Sequence, residues 1–139
     1  MRWRALFLGL AALALAPGAM AGEARKDCTA DDGRLNAAIA DVMTPVPPGL
    51  TELTELFAPI VPVGTSMDEA VRLLRCNGFE VHIDYGKVNV RTGAPYDSII
   101  AQWHWDGIVL RSAYFVSVSI IGNDGVIEDV YASALPSGD

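Results

Sequence analysis

"GTSMDEAVRLLRCNGFEVHIDY", residues 64–85, decides the fold, because the spacing of its apolar residues changes halfway along it. Met67, Ala70, Val71 and Leu74 recur at helical spacing and share a face. Ser66 and Glu69 stand at capping-box spacing, and Asp68 and Glu69 place negative charge where a helix N-terminus favours it. Asn77-Gly78-Phe79 reads as the stop: Gly78 can take the left-handed conformation and Phe79 can fold back on the last turn. From Phe79 the period becomes two. Phe79, Val81, Ile83 and Tyr85 alternate with Glu80, His82 and Asp84, which predicts a strand with one buried and one wet face. Gly86 is the expected place for a bulge, with Val88 and Val90 continuing beyond it.

Downstream, "RTGAPYD" (91–97) reads as a loop and Ser98 to Trp105 as a second strand. Asp106-Gly107 is a two-residue hairpin signal, which would set Trp105 opposite Ile108 and Trp103 opposite Leu110. On that register Ser112, Tyr114, Val116, Val118 and Ile120 share the face of the two tryptophans, and Phe115 lies on the other face among serines. "GNDG" (122–125) turns into a last strand from Val126 to Ala134, and "LPSGD" is a frayed tail. Upstream, Thr29 and Asp32 start an amphipathic helix over 32–43, with Leu35, Ala38, Ile39 and Val42 at helical spacing. "TPVPPG" (44–49) ends it, since proline cannot continue the hydrogen bonding. A short helical turn over 51–57 gathers Leu53, Leu56 and Phe57 on one side, and "APIVPVG" runs extended. The expected fold class is α+β: two helices packed on one face of a three- to four-stranded antiparallel meander sheet. No internal repeat and no second domain is visible. Residues 22–58 form an N-terminal helical segment and linker, and 59–139 the α+β core that completes one globular domain.

The first residues carry a basic head (Arg2, Arg4), an apolar run from Leu6 to Ala16 too short for a membrane span, and Ala19-Met20-Ala21. This is the pattern of a secretory signal peptide over 1–21, cut between Ala21 and Gly22. The expected location is periplasmic or secreted. The whole chain has 10 basic and 17 acidic residues, a formal charge of −7. Loss of Arg2 and Arg4 would leave 8 basic residues against 17 acidic ones, near −9. Such a domain is repelled by nucleic acid and by anionic membrane surfaces, so neither is an expected partner. Cys28 and Cys76 are the two cysteines. In an oxidising compartment they predict a disulfide, whose loop of about 49 residues would contribute on the order of 4 kcal/mol. Cys76 falls on the outer side of its helix with Glu69 and Arg72, within reach of the segment that carries Cys28.

The stretch "VPVGTSMDEAVRLLRCNGF", followed by strands holding "WHW" and "FVSVSIIGNDGVIEDV", resembles the small outer-membrane assembly lipoproteins called BamE (SmpA/OmlA) over about residues 60–131. β-Lactamase-inhibitor-like domains share the two-helix, three-strand layout. The resemblance implies a non-enzymatic envelope scaffold that binds other proteins. The lipidation cysteine of those lipoproteins has no match, since Cys28 follows Arg25-Lys26-Asp27.

Chemistry-bearing residues are few. The histidines stand in "VHID" (81–84) and "WHWD" (103–106), and adjacent strands could pair His82 with His104. Glu80 or Asp84 would then complete a zinc or copper site, against the simpler reading of polar residues on an open sheet face. There is no Gly-x-Ser-x-Gly elbow and no His-Glu-x-x-His, so no catalytic residue, enzyme activity or cofactor is expected. Trp103 and Trp105 read as core, and Phe115 as the aromatic exposed to a partner. The functional expectation is protein–protein binding in the envelope in a scaffold or accessory role. The alternatives are a periplasmic inhibitor or immunity protein against a toxin or hydrolase, and a weak metal binder using His82 and His104. N-terminal sequencing of protein recovered from the periplasm or medium should begin at Gly22-Glu23-Ala24, and a start at Met1 would refute the cleavage site.

Overall fold

In a computed structural model the described residues are 27–105 and 113–137. The signal-peptide segment, Ile108, Leu110 and Ser112 lie outside them. A 3-10 turn (Ala30–Gly33) runs into α1 (Arg34–Val42). Then come β1 (Thr51–Glu52), the single turn α2 (Thr54–Phe57), α3 (Met67–Cys76), β2 (Glu80–Val88), β3 (Pro95–Trp105), β4 (Tyr114–Asn123) and β5 (Val126–Pro136). The strands form one antiparallel sheet in the order β1-β5-β4-β3-β2. The fold is α+β, with five strands and three helices where four strands and two helices were the most expected. The added strand is β1, made by the linker, and the helical turn expected over 51–57 is α2.

The α3 boundaries follow from local chemistry. Ser66 Oγ accepts the Glu69 N–H at 3.1 Å, satisfying one of the free donors of the first turn. Glu69 turns both carboxylate oxygens to Arg72 instead of completing the box. At the other end Gly78 has φ +82°, with Gly78 N–H bonded to Arg75 O and Phe79 N–H to Leu74 O, the paired bonds of a Schellman stop. Asn89 closes the β2–β3 hairpin by accepting the Arg91 and Thr92 N–H groups on Oδ1.

One sheet face carries the core. Ile99, Ala101, Val116, Val118, Ile120 and Ala132 are fully or almost fully buried on it. Leu35, Ile39 and Met43 of the N-terminal segment, Phe57 of α2 and Leu74 of α3 join them in a single cluster. The linker therefore belongs to the same core as the helix–sheet unit. In the first helix the buried stripe is Leu35–Ile39–Met43, and Val42 faces outward. "APIVPVG" turns where an extended run was expected: Ile60 and Val61 N–H both bond Phe57 O, and Val61 is buried.

The Asp106-Gly107 register is overturned. Trp105 lies opposite Tyr114 and Trp103 opposite Val116. The partner thus shifts from residue 108 to 114, an even number of positions. Because side chains alternate with period two, an even shift keeps every face assignment. Tyr114, Val116, Val118 and Ile120 are accordingly buried on the tryptophans' face. The tight Asp-Gly hairpin is made by the other copy of that dipeptide. Asp124 (φ 52°) and Gly125 (φ 76°) join Asn123 to its partner Val126, the double left-handed geometry of a type I′ turn. The loop at 91–97 is shorter than expected, because β3 begins at Pro95, and Leu135 and Pro136 are paired with Phe115 and Tyr114, not frayed.

Gly122 is a packing glycine. A Cβ there would sit 2.6 Å from Met67 Sδ and 2.6 Å from the Val126 carbonyl oxygen, and backbone cannot yield as a side chain can. Gly122→Ala should cost about 1–3 kcal/mol in chemical denaturation, and an unchanged midpoint would refute that close approach.

Candidate functional site

The proposed histidine pair does not form. His82 lies opposite Ile100, whereas His104 is four residues further along β3, opposite Phe115. At about 3.3 Å per residue the two are offset by roughly 13 Å, beyond one metal's reach. His82 Nε2 lies 3.2 Å from Asp84 Oδ1, and Lys87 Nζ 3.2 Å from Asp84 Oδ2. These contacts, Lys87 first, hold the Asp84 carboxyl below its usual range. His104 Nε2 is 2.9 Å from Ser137 Oγ. Glu80 stands opposite Gln102, one rung from His82 on the open face. The group of potential metal ligands among the described residues is Cys28, Asp32 and Cys76. Both its sulfurs are spent in a disulfide, so neither is a thiolate.

Ser98 stands opposite Asp84, which brings a serine, a histidine and an aspartate together on one patch. The arrangement lacks the contact that nucleophilic catalysis needs. Ser98 Oγ is buried with no hydrogen bond among the described residues, while His82 turns to Asp84. The tryptophans divide between two roles. Trp103 packs against the core and touches Phe79, Trp105 and Tyr114 at ring distances of 5.7, 5.8 and 6.0 Å. Trp105 is 43 % exposed, against the expectation of core. Phe115 is half-buried between His104 and Leu135.

The disulfide joins Cys28 to Cys76 with Cα atoms 5.6 Å apart. Around it Arg72 makes a dense set of contacts that sequence reasoning missed. Its guanidinium donates to both oxygens of Asp32 (2.7 and 3.1 Å), to both of Glu69 (2.7 and 2.8 Å) and to the Asp27 carbonyl (2.6 Å). Asn77, read as a helix stop, is 1 % exposed and donates to Asp32 O and Leu73 O, while its own Oδ1 and carbonyl accept from Asn36. The signal for Arg72 was its place on the outer face beside Cys76; nothing marked Asn77 apart from an ordinary C-cap.

This clamp forms one end of a groove of about 730 Å³ between α3 and β2. Asp68, Val71 and Arg75 line the helix side, and Phe79, Ile83 and Tyr85 the strand side. Asp27, Arg72 and Cys76 also line it. Tyr85, expected in the core, is 70 % exposed here, because the bulge between Asp84 and Lys87 turns the strand away from the helix layer. β2 is an edge strand: among the described residues it pairs with β3 alone.

The hydrogen bond from Arg72, followed by that from the Thr29 N–H, lowers the Asp32 carboxyl from 3.8 to about 2. A depressed carboxyl contributes stability that is present above pH 4 and lost as pH falls towards 2. Wild type should lose about 2 kcal/mol more than Asp32→Asn between pH 5 and pH 2 in urea denaturation. Parallel curves for the two proteins would show that Asp32 is not held by Arg72.

No family model matches the chain, and comparison with curated proteins and with solved structures returns no match.

Proposed function

We propose that this chain is a small exported, non-enzymatic cell-envelope protein that acts by binding another protein. The binding site is the β2 edge beside α3, where an extended segment of the partner adds to the sheet. The observation that carries this reading is the unequal treatment of the two sheet edges. The outer side of β5 is covered by the chain itself. Thr51 and Glu52 pair with Ala134 and Ser133, Leu53 N–H bonds Ala132 O, Gly64 N–H bonds Ile127 O, and Ser66 bridges Val126. The β2 edge has no such cover among the described residues, and it borders a groove with an apolar floor and a charged wall. An uncapped edge offers backbone donors and acceptors, and pockets beside it take alternate side chains of an incoming strand. The bulge at Gly86 and the charge of Lys87 limit the usable edge to Glu80–Asp84.

Export is supported by the N-terminal pattern and by the disulfide, which persists in oxidising compartments. The resemblance to BamE-like lipoproteins points to the same class of work. An inhibitor or immunity protein would use the same groove with a toxin or hydrolase as its partner. Ile83→Lys puts an inward-pointing cation on the strand side of the groove and should abolish cross-linking to the envelope partner, leaving the far-UV spectrum native. Tyr131→Lys, on the open face, should leave it intact. The reverse pattern, loss with Tyr131→Lys and retention with Ile83→Lys, would move the binding surface to the open face and sink this assignment.

A further inference from the structure

The groove has a direction, and its charges give it one. Asp68, Val71 and Arg75 lie on one side of α3, so the wall reads acidic, apolar and basic along its length. Arg72, between them, is paired with both Asp32 and Glu69, so the clamp carries a net charge of −1 and adds nothing positive to the wall. Asp68 and Arg75 are exposed and make no ion pair among the described residues. After the Schellman turn β2 runs back along α3. Arg75 therefore stands near Phe79, at the start of the strand, and Asp68 towards Ile83 and Tyr85.

We infer that the segment taken up along β2 runs antiparallel to it, with a basic residue early, an acidic residue late and an apolar side chain between them. This rests on the strand-addition reading above and specifies its ligand. An added strand antiparallel to β2 enters at the Tyr85 end and leaves at the Phe79 end. Its early residues then meet Asp68 and its late ones Arg75. Every pair in this sheet is antiparallel, and antiparallel pairing is the more stable of the two. The seven steps from Asp68 to Arg75 span about 10 Å of helix. At about 3.4 Å per residue, this matches three to four residues of extended chain. A separation of four puts the two charged side chains on one face, with the apolar residue midway between them facing Val71, Phe79 and Ile83. Asp27 also lines the groove and weakens the positive end, which keeps the expected discrimination modest.

The test uses the chain from Gly22 and two labelled, end-blocked peptides, Thr-Lys-Thr-Val-Thr-Glu-Thr and its charge-reversed form Thr-Glu-Thr-Val-Thr-Lys-Thr. Binding is read by fluorescence anisotropy and its location by backbone amide shifts. The Lys-first peptide should bind roughly threefold to tenfold tighter, as two partly exposed ion pairs allow. It should move the amides of Glu80 to Asp84. The double variant D68K/R75E should invert the preference, and D68N/R75Q, which keeps helix-compatible side chains, should abolish it. If both peptides bind at β2 equally and the swap changes nothing, strand addition stands and the charge order is overturned. A preference for the Glu-first peptide overturns it equally. If neither peptide moves the β2 amides, the strand-addition reading fails and takes this inference with it. A dimer seated on β2 that neither peptide dissociates overturns it too.

Discussion

The contact on which the arrangement depends is the Arg72 clamp beside the Cys28–Cys76 disulfide. A single guanidinium holds Asp32, Glu69 and the Asp27 carbonyl, with Asn77 bonded to Asp32 and Asn36 next to it. Bidentate charge-assisted bonds of this kind set geometry as well as energy. The disulfide contributes by restricting the unfolded chain, whereas the guanidinium chooses which face of α3 the N-terminal segment docks on. That choice puts α1 against the outer, C-terminal part of α3. The clamp closes one end of the groove, and Asp68, Val71 and Arg75 form its wall opposite β2.

A five-stranded open sheet has two edges, and in this chain the linker has material for one. "TPVPPG" ends α1, and the residues after it are spent on β1, α2 and the Thr65–Ser66 bridge, all along β5. The prolines thus act twice: they stop a helix and deliver extended backbone to an edge that needs partners. β2 receives a bulge and a lysine, devices that shorten an edge but do not cover it. Five residues of edge, an apolar floor and a charged wall are what the groove reading rests on.

Much of this was legible in residue spacing. The capped helix, its glycine stop and the switch to period two appear in the structure within a residue of their expected limits. So does the bulge at Gly86. The pairing of cysteines, expected from an exported chain and from helix geometry, is present. The register expected from Asp106-Gly107 misled because the burial pattern fits every connection of the same parity, so it could not correct a local turn signal. The face assignments survived because alternation depends on parity and not on the length of the connection. His82 and His104 were on the correct face but on different rungs, which no single-strand pattern can reveal. Trp105 and Tyr85 were assigned to the core from alternation alone, and both are exposed.

What the sequence by itself determined is the local grammar: where α3 begins and ends, which face of each strand is apolar, and the charge of the whole. Those are properties of neighbours a few residues apart, governed by hydrogen-bond satisfaction and periodicity. Only the tertiary structure decided that Arg72 joins Asp32 across 40 positions, that the linker covers β5, and that α3 and β2 enclose a groove. These depend on which surfaces the core leaves over once it is packed, and that remainder is set by all the layers together.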